Sequence, residues 1–558
     1  MIQRECLGRL AKWREKPPAK VLAGVRGSGK TTLLAMYIDW LKRSGAGDSQ
    51  IVFVDLEALE SAPLLDFRAL YSHIKKRLCP GRFTYVFIDE AQRCPQCEKA
   101  AAALLAQKQV DLYVSTSAAG LSVAPQVEIR VLPLSFAEYL LFSKARGMGA
   151  LGADYVADYV AGLHGSGLRG AGLDGADLGG AGLHGAAFPA GAAKHMGAQR
   201  LPRQKAQAER YIRQEAFNNY LSAGGFPLAA LLGADPALAR RCVDGIYSAA
   251  LLKDAARQPG ISDIPLLEQV ARLMSLHAGR PLSSKKIGAA ISAGGRKIST
   301  NTVEAYMKAL SAAFVFSHAG RFDIKAGKHL KTLGKYYIAD PGLRNLLLEP
   351  GAASLASHLE NVVYLELLRR GFQVCIGKYG REEISFAAFW PLPAAAGGAG
   401  GVRSVGGIGG GSGAGGVRSA GGSGSSGVGA GSSGASGSSG FGFGDSGSSS
   451  VGGIGSGGIS AGGVRSVGGS GNSHSGAGGN DNGSRSSGFG AGGIGQAYFQ
   501  VVPSAHDKAA LARKLAPLAQ IQDNHPKFIL TLDETPFRAS HNGIIQRNLL
   551  DWLLDGKR

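Results

Sequence analysis

Residues 24–31 read Gly-Val-Arg-Gly-Ser-Gly-Lys-Thr, a glycine-rich loop that ends in a lysine and a threonine. Glycines let such a backbone curl, so that its N–H groups and the positive end of the next helix surround a polyphosphate. At this spacing Lys30 reaches the β/γ-phosphates and the Thr31 hydroxyl ligates Mg²⁺. The loop therefore predicts a nucleotide site formed by Gly24, Val25, Arg26, Gly27, Ser28, Gly29, Lys30, Thr31 and Thr32.

The loop has the neighbours that make its motif specific. An apolar run at residues 21–23 precedes it, and a helical pattern at residues 32–36 follows it. A strand, a glycine-rich loop and a helix in that order are the setting of a nucleotide-binding P-loop. This setting favours nucleotide binding over a chance glycine-rich turn.

A pair of acidic residues supplies the second part of the chemistry. Residues 85–88 form a buried-strand pattern that ends in Asp89 and Glu90. A carboxylate at such a strand end can hold the Mg²⁺ water shell, and the next one can orient or deprotonate the attacking water. We assign Asp89 and Thr31 to the metal, and Lys30 and Glu90 to catalysis, with Glu90 as the base. An ordinary solvated strand end is the alternative, and the neighbouring loop argues against it.

Length, charge and cysteine usage set wider limits. At 558 residues the chain exceeds one ordinary core, and its formal net charge of +20 favours polyanionic partners. The N-terminus lacks an apolar signal core, and no apolar run is long enough to span a bilayer. Six cysteines over this length give no disulfide framework. We therefore predict a cytoplasmic protein without membrane association, in which Cys94 and Cys97 are free structural thiols.

Periodicity divides the chain into further segments. Strand patterns at residues 51–54, 85–88, 110–115 and 128–132 alternate with helical ones, which predicts a parallel sheet covered by helices. The predicted organisation is an ATPase core at residues 1–143, a Gly/Ala-rich insertion at 144–207, a helical lid segment at 208–262, a winged helix at 263–347, an α/β domain at 348–391 and 497–558, and a disordered Gly/Ser-rich insertion at 392–496.

The two insertions differ in their composition and repeats. The Gly/Ser-rich one cannot bury enough apolar surface to offset its ordering entropy, so we expect a disordered loop between strands at residues 384–390 and 497–502. The first insertion resembles a pentapeptide repeat, whose family forms a square β-helix, but it would complete little more than one coil. Its five-residue period runs through Leu163, Leu168, Leu173, Leu178, Leu183 and Phe188.

Residues 263–347 have the pattern and charge of a nucleic-acid-binding module. Helices are predicted at residues 283–288 and 301–311, followed by a strand at 314–316 and a basic loop at 321–331. The segment has 13 Lys or Arg residues against 5 Asp or Glu residues. Helix, turn, helix and β-wing predict a winged helix, a module that contacts DNA or packs against protein. The candidate DNA contacts are Lys285, Lys286, Arg296 and Lys297.

With these segments placed, the chain resembles a family of prokaryotic AAA-type P-loop ATPases with a C-terminal restriction-endonuclease-like domain. The resemblance covers nearly everything outside the two insertions. It rests on motifs at residues 24–31, 88–92, 133–139, 224–227, 335–340, 359–366, 498–501 and 526–527. Together with the predicted winged helix it gives an α/β fold class: a P-loop core of the ASCE or AAA type with a parallel sheet, a winged-helix module and a nuclease-like α/β domain.

The chain departs from the family at two places in the ATPase core. Where members carry Thr-Gly-Ser-Asn to sense the γ-phosphate, residues 115–118 read Ser-Thr-Ser-Ala, which leaves Ser115 and Ser117 as sensor-like groups. Where members carry Gly-Arg before the next strand, residues 123–126 contain no arginine. Loss of an arginine that stabilises transition-state charge slows hydrolysis by orders of magnitude. We therefore expect ATP binding with slow hydrolysis.

The resemblance also implies a nuclease-like site, in which carboxylates converge on Mg²⁺. Glu360 and Glu383 are acidic, but Ser385 stands where the family has Asp in Glu-Ile-Asp-Phe. A serine hydroxyl is neutral and replaces a carboxylate poorly, and no lysine follows at the downstream position, Gln500. We predict a degenerate nuclease site of Glu360, Glu383 and Gln500.

Three functions stay open on the sequence alone. The favoured one is an ATP-binding switch with slow ATPase activity, which uses ATP and Mg²⁺ and positions the winged helix and the degenerate nuclease-like domain on a partner. That partner is duplex DNA or a protein. The alternatives are a DNA-binding protein in which ATP is secondary, and a Mg²⁺-dependent nuclease that uses Glu360 and Glu383.

Overall fold

A computed structural model describes five stretches of the chain, residues 4–147, 200–233, 235–391, 494–534 and 540–555. All five belong to one compact unit. The pentapeptide-like period and the Gly/Ser-rich loop predicted above fall at residues 148–199 and 392–493, outside the described residues.

The N-terminal part contains a five-stranded sheet in which every pair of neighbours is parallel. Its strands are β1 (Ala19–Ala23), β2 (Ile51–Asp55), β3 (Thr84–Asp89), β4 (Val110–Thr116) and β5 (Gln126–Arg130). Their spatial order is β2-β3-β4-β1-β5, so β1 lies between β4 and β5. The predicted parallel sheet is confirmed, although β5 begins two residues earlier than the apolar pattern at 128–132 indicated.

Helices cover both faces of this sheet. They are α1 (Glu5–Lys12), α2 (Lys30–Arg43), α3 (Phe67–Lys75) and α4 (Cys97–Leu105). The next helix, α5 (Phe136–Gly147), packs in a separate core with Phe217 and Tyr220. In β3, Val86 and Ile88 pack into the core that contains α3 and α4, whereas Tyr85 and Phe87 pack into the core that contains α2. Because successive strand residues point to opposite faces, a strand buried on both sides reads as a continuous apolar run.

A second group of helices follows. Of these, α6 (Arg200–Ala223) packs with α5, whereas α7 (Pro227–Leu232), α8 (Pro236–Ala249) and a π-helical segment, Ala250–Ala255, lie beside the loop that follows β1. Val25 of the loop shares a core with Tyr247 of α8 and Leu251 of the π-helical segment. The loop and these helices therefore share one core.

The next segment has the predicted order of helix, turn, helix and hairpin. Its elements are α9 (Ile264–Leu276), α10 (Ser284–Ala293), α11 (Thr300–Ala312), β6 (Phe316–Asp323), β7 (Lys328–Ile338) and α12 (Pro341–Leu347). The hydroxyls of Ser283 and Ser299 cap α10 and α11 by accepting hydrogen bonds from Lys286 N and Thr302 N. The basic stretch at 321–331, predicted as a loop, is mostly strand, because β6 and β7 pair as far as Asp323 and Lys328.

The C-terminal part contributes a helix-flanked sheet. Its elements are α13 (Leu355–Arg369), β8 (Gln373–Tyr379), β9 (Glu382–Pro391), β10 (Ile494–Val501), α14 (Lys508–Gln520), β11 (Lys527–Thr531), β12 (Ser540–His541), β13 (Ile544–Asn548) and α15 (Leu549–Leu554). The strands β9 and β10 pair antiparallel on either side of the long insertion, as predicted. Eight strands form one sheet in the order β12-β13-β11-β10-β9-β8-β6-β7.

This sheet crosses a predicted domain boundary. The hairpin β6–β7 was expected to belong to a separate winged helix that ends at residue 347. In the structure Arg321, Phe322 and Asp323 of β6 pair in parallel with residues 376–378 of β8. The hairpin and the C-terminal strands therefore belong to one sheet, and the helices α9–α12 of this segment lie outside it.

Two further predictions concern thiols and membranes. All six cysteines are free, and Cys94 and Cys97 are buried in the core beside α4, as predicted. Of the helices that the structure describes, none combines the length and the apolar character needed to cross a membrane.

Candidate nucleotide-binding site

The loop after β1 has the backbone shape of a phosphate cradle. Gly27 and Gly29 have positive φ angles of 78° and 91°, which side-chain-bearing residues rarely adopt. A Cβ at Gly24 would lie 2.1 Å from the Val131 carbonyl oxygen. The loop thus depends on glycine at all three positions, for conformation at two of them and for space at the third.

The cradle opens onto the start of α2. Gly29 is the N-cap residue and provides no side-chain cap, so the first amides of the helix, up to that of Thr32, have no partner within the helix. The Ser28 hydroxyl oxygen is buried and lacks a hydrogen-bond partner among the described residues. Unpaired donors at a helix N-terminus attract anions, so this end of α2 fits a phosphate group.

Lys30 lies in the middle of the cradle. Its ammonium is buried and donates hydrogen bonds to the carbonyl oxygen of Gly24 (3.1 Å) and to Ser117 Oγ (2.7 Å). The Nζ atom is also 3.5 Å from Glu90 Oε1. The structure therefore brings together the predicted lysine, the predicted base and one predicted sensor-like serine.

Asp89 ends β3 below the loop and is fully buried. It accepts hydrogen bonds from the hydroxyls of Ser115 and Thr31. Burial, together with the charge of Glu90, raises the pKa of Asp89 to about 6. A carboxylate and two hydroxyls form an all-oxygen set of the kind that suits Mg²⁺.

The metal that this set would hold requires more ligands than the protein provides. Within the described residues, no group of three or more His, Cys, Asp or Glu side chains is placed to hold a metal ion. Mg²⁺ commonly binds through one or two carboxylates, with substrate phosphates and water completing the octahedron. Asp89 and Thr31 fit that pattern, in which the ion arrives with the nucleotide.

Glu90 is held on both of its carboxylate oxygens. Its Oε1 accepts a hydrogen bond from Ser117 Oγ at 2.9 Å, and its Oε2 is 3.3 Å from Arg26 Nη2 and accepts from Gln92. Burial alone would raise the pKa of Glu90, but the charges of Lys30 and Arg26 outweigh it and lower the pKa to about 2. Glu90 is therefore a fixed carboxylate at neutral pH.

Gln92 is a site residue that the sequence analysis did not assign. Its side-chain amide donates to Glu90, and its Oε1 accepts from the Ser117 backbone N–H at 3.1 Å. Gln92 thereby links Glu90 to the residue that follows β4. Its place two residues after Glu90 in the Asp-Glu-Ala-Gln motif was the available signal.

The Arg26 side chain forms ion pairs with three carboxylates. Its guanidinium contacts Glu57 Oε2 (2.8 Å), Asp254 Oδ2 (2.9 Å) and Glu90 Oε2 (3.3 Å). Glu57 follows β2, and Asp254 lies in the π-helical segment, 228 residues further along the chain. No local pattern in the sequence could have paired Arg26 with Asp254.

The predicted nuclease residues also come together. Lys335 of β7 lies between Glu360 and Glu383, with Nζ 3.0 Å and 2.7 Å from their carboxylate oxygens. The Oε1 atom of Gln500 accepts a hydrogen bond from Ser385 Oγ at 2.8 Å. Burial disfavours the charge on Lys335, but the two glutamates outweigh it and raise its pKa.

The predicted nuclease-like site contains a lysine that its own sequence motif lacks. The expected lysine is absent from the strand of Gln500, yet a lysine arrives from another strand, β7. Its single positive charge lies between Glu360 and Glu383 and offsets one of their two negative charges. Lys335 reaches the two glutamates because β7 and β9, predicted in two separate modules, belong to one sheet.

The candidate DNA contacts differ in whether their charges are paired. Lys285 and Lys286 are exposed at the start of α10, and Lys297 is exposed after it. Arg296 pairs with Asp263. On the exposed face of α11, Lys308 is 2.8 Å from the Glu304 carboxylate, so that face carries matched charges.

Sequence comparisons agree with the geometry of the core. Residues 16–140 match the family model of an AAA domain, and residues 214–354 match that of a domain of unknown function, DUF8612. An uncharacterised protein of Haemophilus influenzae is 28% identical over 398 residues, which are 70% of this chain and 84% of that protein. One of Methanocaldococcus jannaschii is 26% identical over 174 residues, which are 30% of this chain and 36% of that protein.

Two solved structures are similar at 14% identity over 62% of this chain. They are the Walker-type ATPase of Pyrococcus abyssi, covered over 96% of its length with a TM-score of 0.38, and the ORC1 protein of Aeropyrum pernix in complex with DNA, covered over 92% with a TM-score of 0.27. Such TM-scores are too low to bear on function. The AAA-domain match and the parallel sheet together support a P-loop core of AAA type at residues 16–140, whereas the winged helix and the nuclease-like fold stay predictions.

Proposed function

We propose that this protein binds ATP with Mg²⁺ in the loop after β1, hydrolyses it slowly and acts as a nucleotide-dependent switch. The observation that supports this most directly is the approach of Lys30 Nζ to Glu90 Oε1, 3.5 Å, at the end of strand β3. A phosphate-binding cation and a water-orienting carboxylate must lie on either side of the transferred group for hydrolysis to occur. Their contact here fits a site in which that group would enter between them.

The triphosphate would be held by the loop and by the start of α2. Backbone amides from Val25 to Thr32 and the Lys30 ammonium are the donors, and the buried Ser28 hydroxyl is a further one. Asp89 and Thr31 would hold Mg²⁺, which neutralises charge on the phosphates when bound. These residues act by position and charge, which is most of what phosphoryl transfer requires of a protein.

Slow hydrolysis is expected from the sensor position, where Ser117 stands in for the asparagine amide. Before ATP binds, Glu90 is also a poor base. A carboxylate with a pKa of about 2 accepts a hydrogen bond from water and orients it, but it is a weak acceptor of the proton. Lys30 and Arg26 cause this low pKa, and both are cations that a triphosphate would attract. Binding of ATP would therefore raise the basicity of Glu90 by drawing the two cations away from it.

The switch function rests on the contact between the loop and the helices beyond it. A Cβ added to Gly27 would lie 3.0 Å from Ile246 of α8, so the loop has no free space on that side. Val25 belongs to the core that also contains Tyr247, Leu251 and Leu310 of α11. A change in the loop on nucleotide binding would pass through this core to the helices α8 to α11.

The C-terminal site would serve this switch without cutting DNA. Lys335 offsets one of the two negative charges of its glutamates, and Ser385 leaves it one carboxylate short of the family pattern. We propose a degenerate nuclease-like domain that contacts a partner. That partner is a protein or duplex DNA. The exposed Lys285 and Lys286 on one turn of α10 favour DNA.

The test is nucleotide binding and turnover by the full chain and by Lys30→Ala. We expect the wild-type protein to bind a fluorescent ATP analogue in the presence of Mg²⁺ and to release phosphate slowly, and the variant to lose both. Lys42→Ala is the matched control, since Lys42 lies half-exposed on the same helix. Equal affinity of wild type and Lys30→Ala would exclude the site. Phosphate release measured with and without duplex DNA then distinguishes a DNA partner from a protein one.

A further inference from the structure

The Arg26 guanidinium contacts three carboxylates, those of Asp254, Glu57 and Glu90. It bonds to Asp254 through Nε at 2.9 Å and Nη2 at 3.1 Å, and to Glu57 through Nη1 at 2.8 Å. The same Nη2 lies 3.3 Å from Glu90 Oε2. Arg26 is buried, so these contacts are formed with little competition from water.

Arg26 and Lys30 each contact a different carboxylate oxygen of Glu90. Lys30 Nζ is 3.5 Å from Glu90 Oε1, and Arg26 Nη2 is 3.3 Å from Glu90 Oε2. The lysine of such a loop contacts the β/γ-phosphates, and Glu90 faces the water that attacks the γ-phosphate. The guanidinium therefore lies beside the place where negative charge develops during transfer.

We infer that Arg26 is a catalytic arginine, which contacts the γ-phosphate of ATP and which Glu90 and Asp254 hold in reserve until the nucleotide binds. This inference rests on the proposed function. It fills a gap in the site, because residues 123–126 contain no arginine. Within the described part of the chain, Arg26 is the guanidinium bonded to the catalytic carboxylate.

The exchange is chemically favourable. A guanidinium binds phosphate oxygens through the same forked donors that it now directs at carboxylates. When Arg26 leaves, Glu57 keeps a cation, because Lys253 Nζ lies 2.7 Å from its Oε1. Glu90 loses one of the two charges that hold it, and so becomes a better base.

Asp254 is the residue left without a partner. Its side chain is fully buried, and Arg26 is the cation to which it is bonded. An unpaired buried carboxylate is costly, so the π-helical segment must move or Asp254 must take up a proton. The arginine thus couples ATP binding to the helices that pack behind the loop.

The test compares ATP and ADP in wild type, Arg26→Ala, Arg26→Lys and Asp254→Asn. We expect Arg26→Ala and Arg26→Lys to lower kcat by about 10³-fold, the low end of the range for arginines that stabilise phosphoryl transfer. Both variants should weaken ATP binding more than ADP binding, because the contact is to the γ-phosphate. Asp254→Asn should have the opposite effect and strengthen ATP binding, because it releases Arg26 while keeping the side chain's shape.

A purely structural arginine would give a different pattern. Arg26→Lys and Asp254→Asn would then both weaken ATP and ADP binding alike, or leave kcat unchanged, and either result overturns the inference. Arg26→Lys and Asp254→Asn keep the test decisive if Arg26→Ala does not fold. Arg43→Ala on the surface of α2 is the control. If wild type binds no ATP, or Lys30→Ala binds as well as wild type, the proposed function itself fails.

Discussion

The Asp340 carboxylate accepts a hydrogen bond of 2.6 Å from the backbone N–H of Gly225. Asp340 also caps α12 by accepting from Leu343 N at 3.1 Å. A buried aspartate thereby joins the turn between α6 and α7 to the end of the β6–β7 hairpin. The two ends come from segments that the sequence analysis assigned to different modules, and each carries part of a family motif.

This junction predicts an unusual intolerance at Gly224. The residue has a φ of +86°, and a Cβ there would lie 2.0 Å from Asp340 Oδ1. Gly224→Ala should lower the free energy of unfolding by about 3 kcal/mol, from backbone strain and overpacking together. Gly351→Ala is the matched control, since Gly351 has a φ of +81° with nothing within 4 Å. It should cost only about 1 kcal/mol, for the strain. Equal losses in denaturant titrations would contradict the account.

Asp340 also predicts a pH dependence of stability. Burial raises its pKa from 3.8 to about 6, so the folded state binds its proton more tightly than the unfolded state. Its contribution to stability is therefore greatest at low pH and is lost as pH rises through 6. The difference in unfolding free energy between wild type and Asp340→Asn should favour wild type by about 2 kcal/mol more at pH 4.5 than at pH 7.

Because both proteins share every other titrating group, this difference isolates Asp340. Denaturant titrations at the two pH values measure it. A difference that is constant with pH, or that grows towards pH 7, would mean that Asp340 is ionised in the folded protein.

The sequence predicted what is encoded locally, and missed what distant segments create. The proximity of Lys30, Asp89 and Glu90 was predictable because each belongs to a short motif at the end of a strand, and parallel strands bring such ends together. The pairing of Arg26 with Asp254 joins residues 228 positions apart and has no local signal. The contact of Lys335 with Glu383 depends on strands β7 and β9 sharing one sheet, which the predicted boundary at residue 347 excluded.

Lys335 should be important for folding, because its ammonium lies between two glutamates and separates their charges. Lys335→Ala leaves Glu360 and Glu383 with their charges facing each other. We expect a loss of about 2–3 kcal/mol, below the 3–5 kcal/mol of a fully buried pair because Glu383 is 38% exposed. Lys331→Ala, at an exposed position of the same strand, should change stability little. If both variants unfold at the denaturant concentration of wild type, the contact contributes nothing.

Glu90→Gln separates binding from chemistry. Glutamine keeps an oxygen for Ser117 but cannot accept the proton of the attacking water, so we expect turnover to fall by about 10²–10⁴-fold. Affinity for ATP should be retained or increased, because the variant no longer competes with phosphate for Lys30 and Arg26. Phosphate release and equilibrium binding measure the two effects. Glu98→Gln on α4 is the control, and loss of binding in Glu90→Gln would assign Glu90 a structural role instead.

Contact with DNA would have to come from the exposed lysines of the helical segment. Lys285, Lys286 and Lys297 are exposed, whereas Arg296 is paired with Asp263. If the three lysines contact phosphates, replacing all three by alanine should make the slope of log affinity against log salt concentration less steep. The expected change in slope is about 2–3, since each lost phosphate contact contributes about 0.9. The control replaces three exposed lysines of the ATPase core, Lys75, Lys76 and Lys99. A wild-type protein that binds no duplex, or a slope changed equally by both triple variants, would leave a protein as the partner.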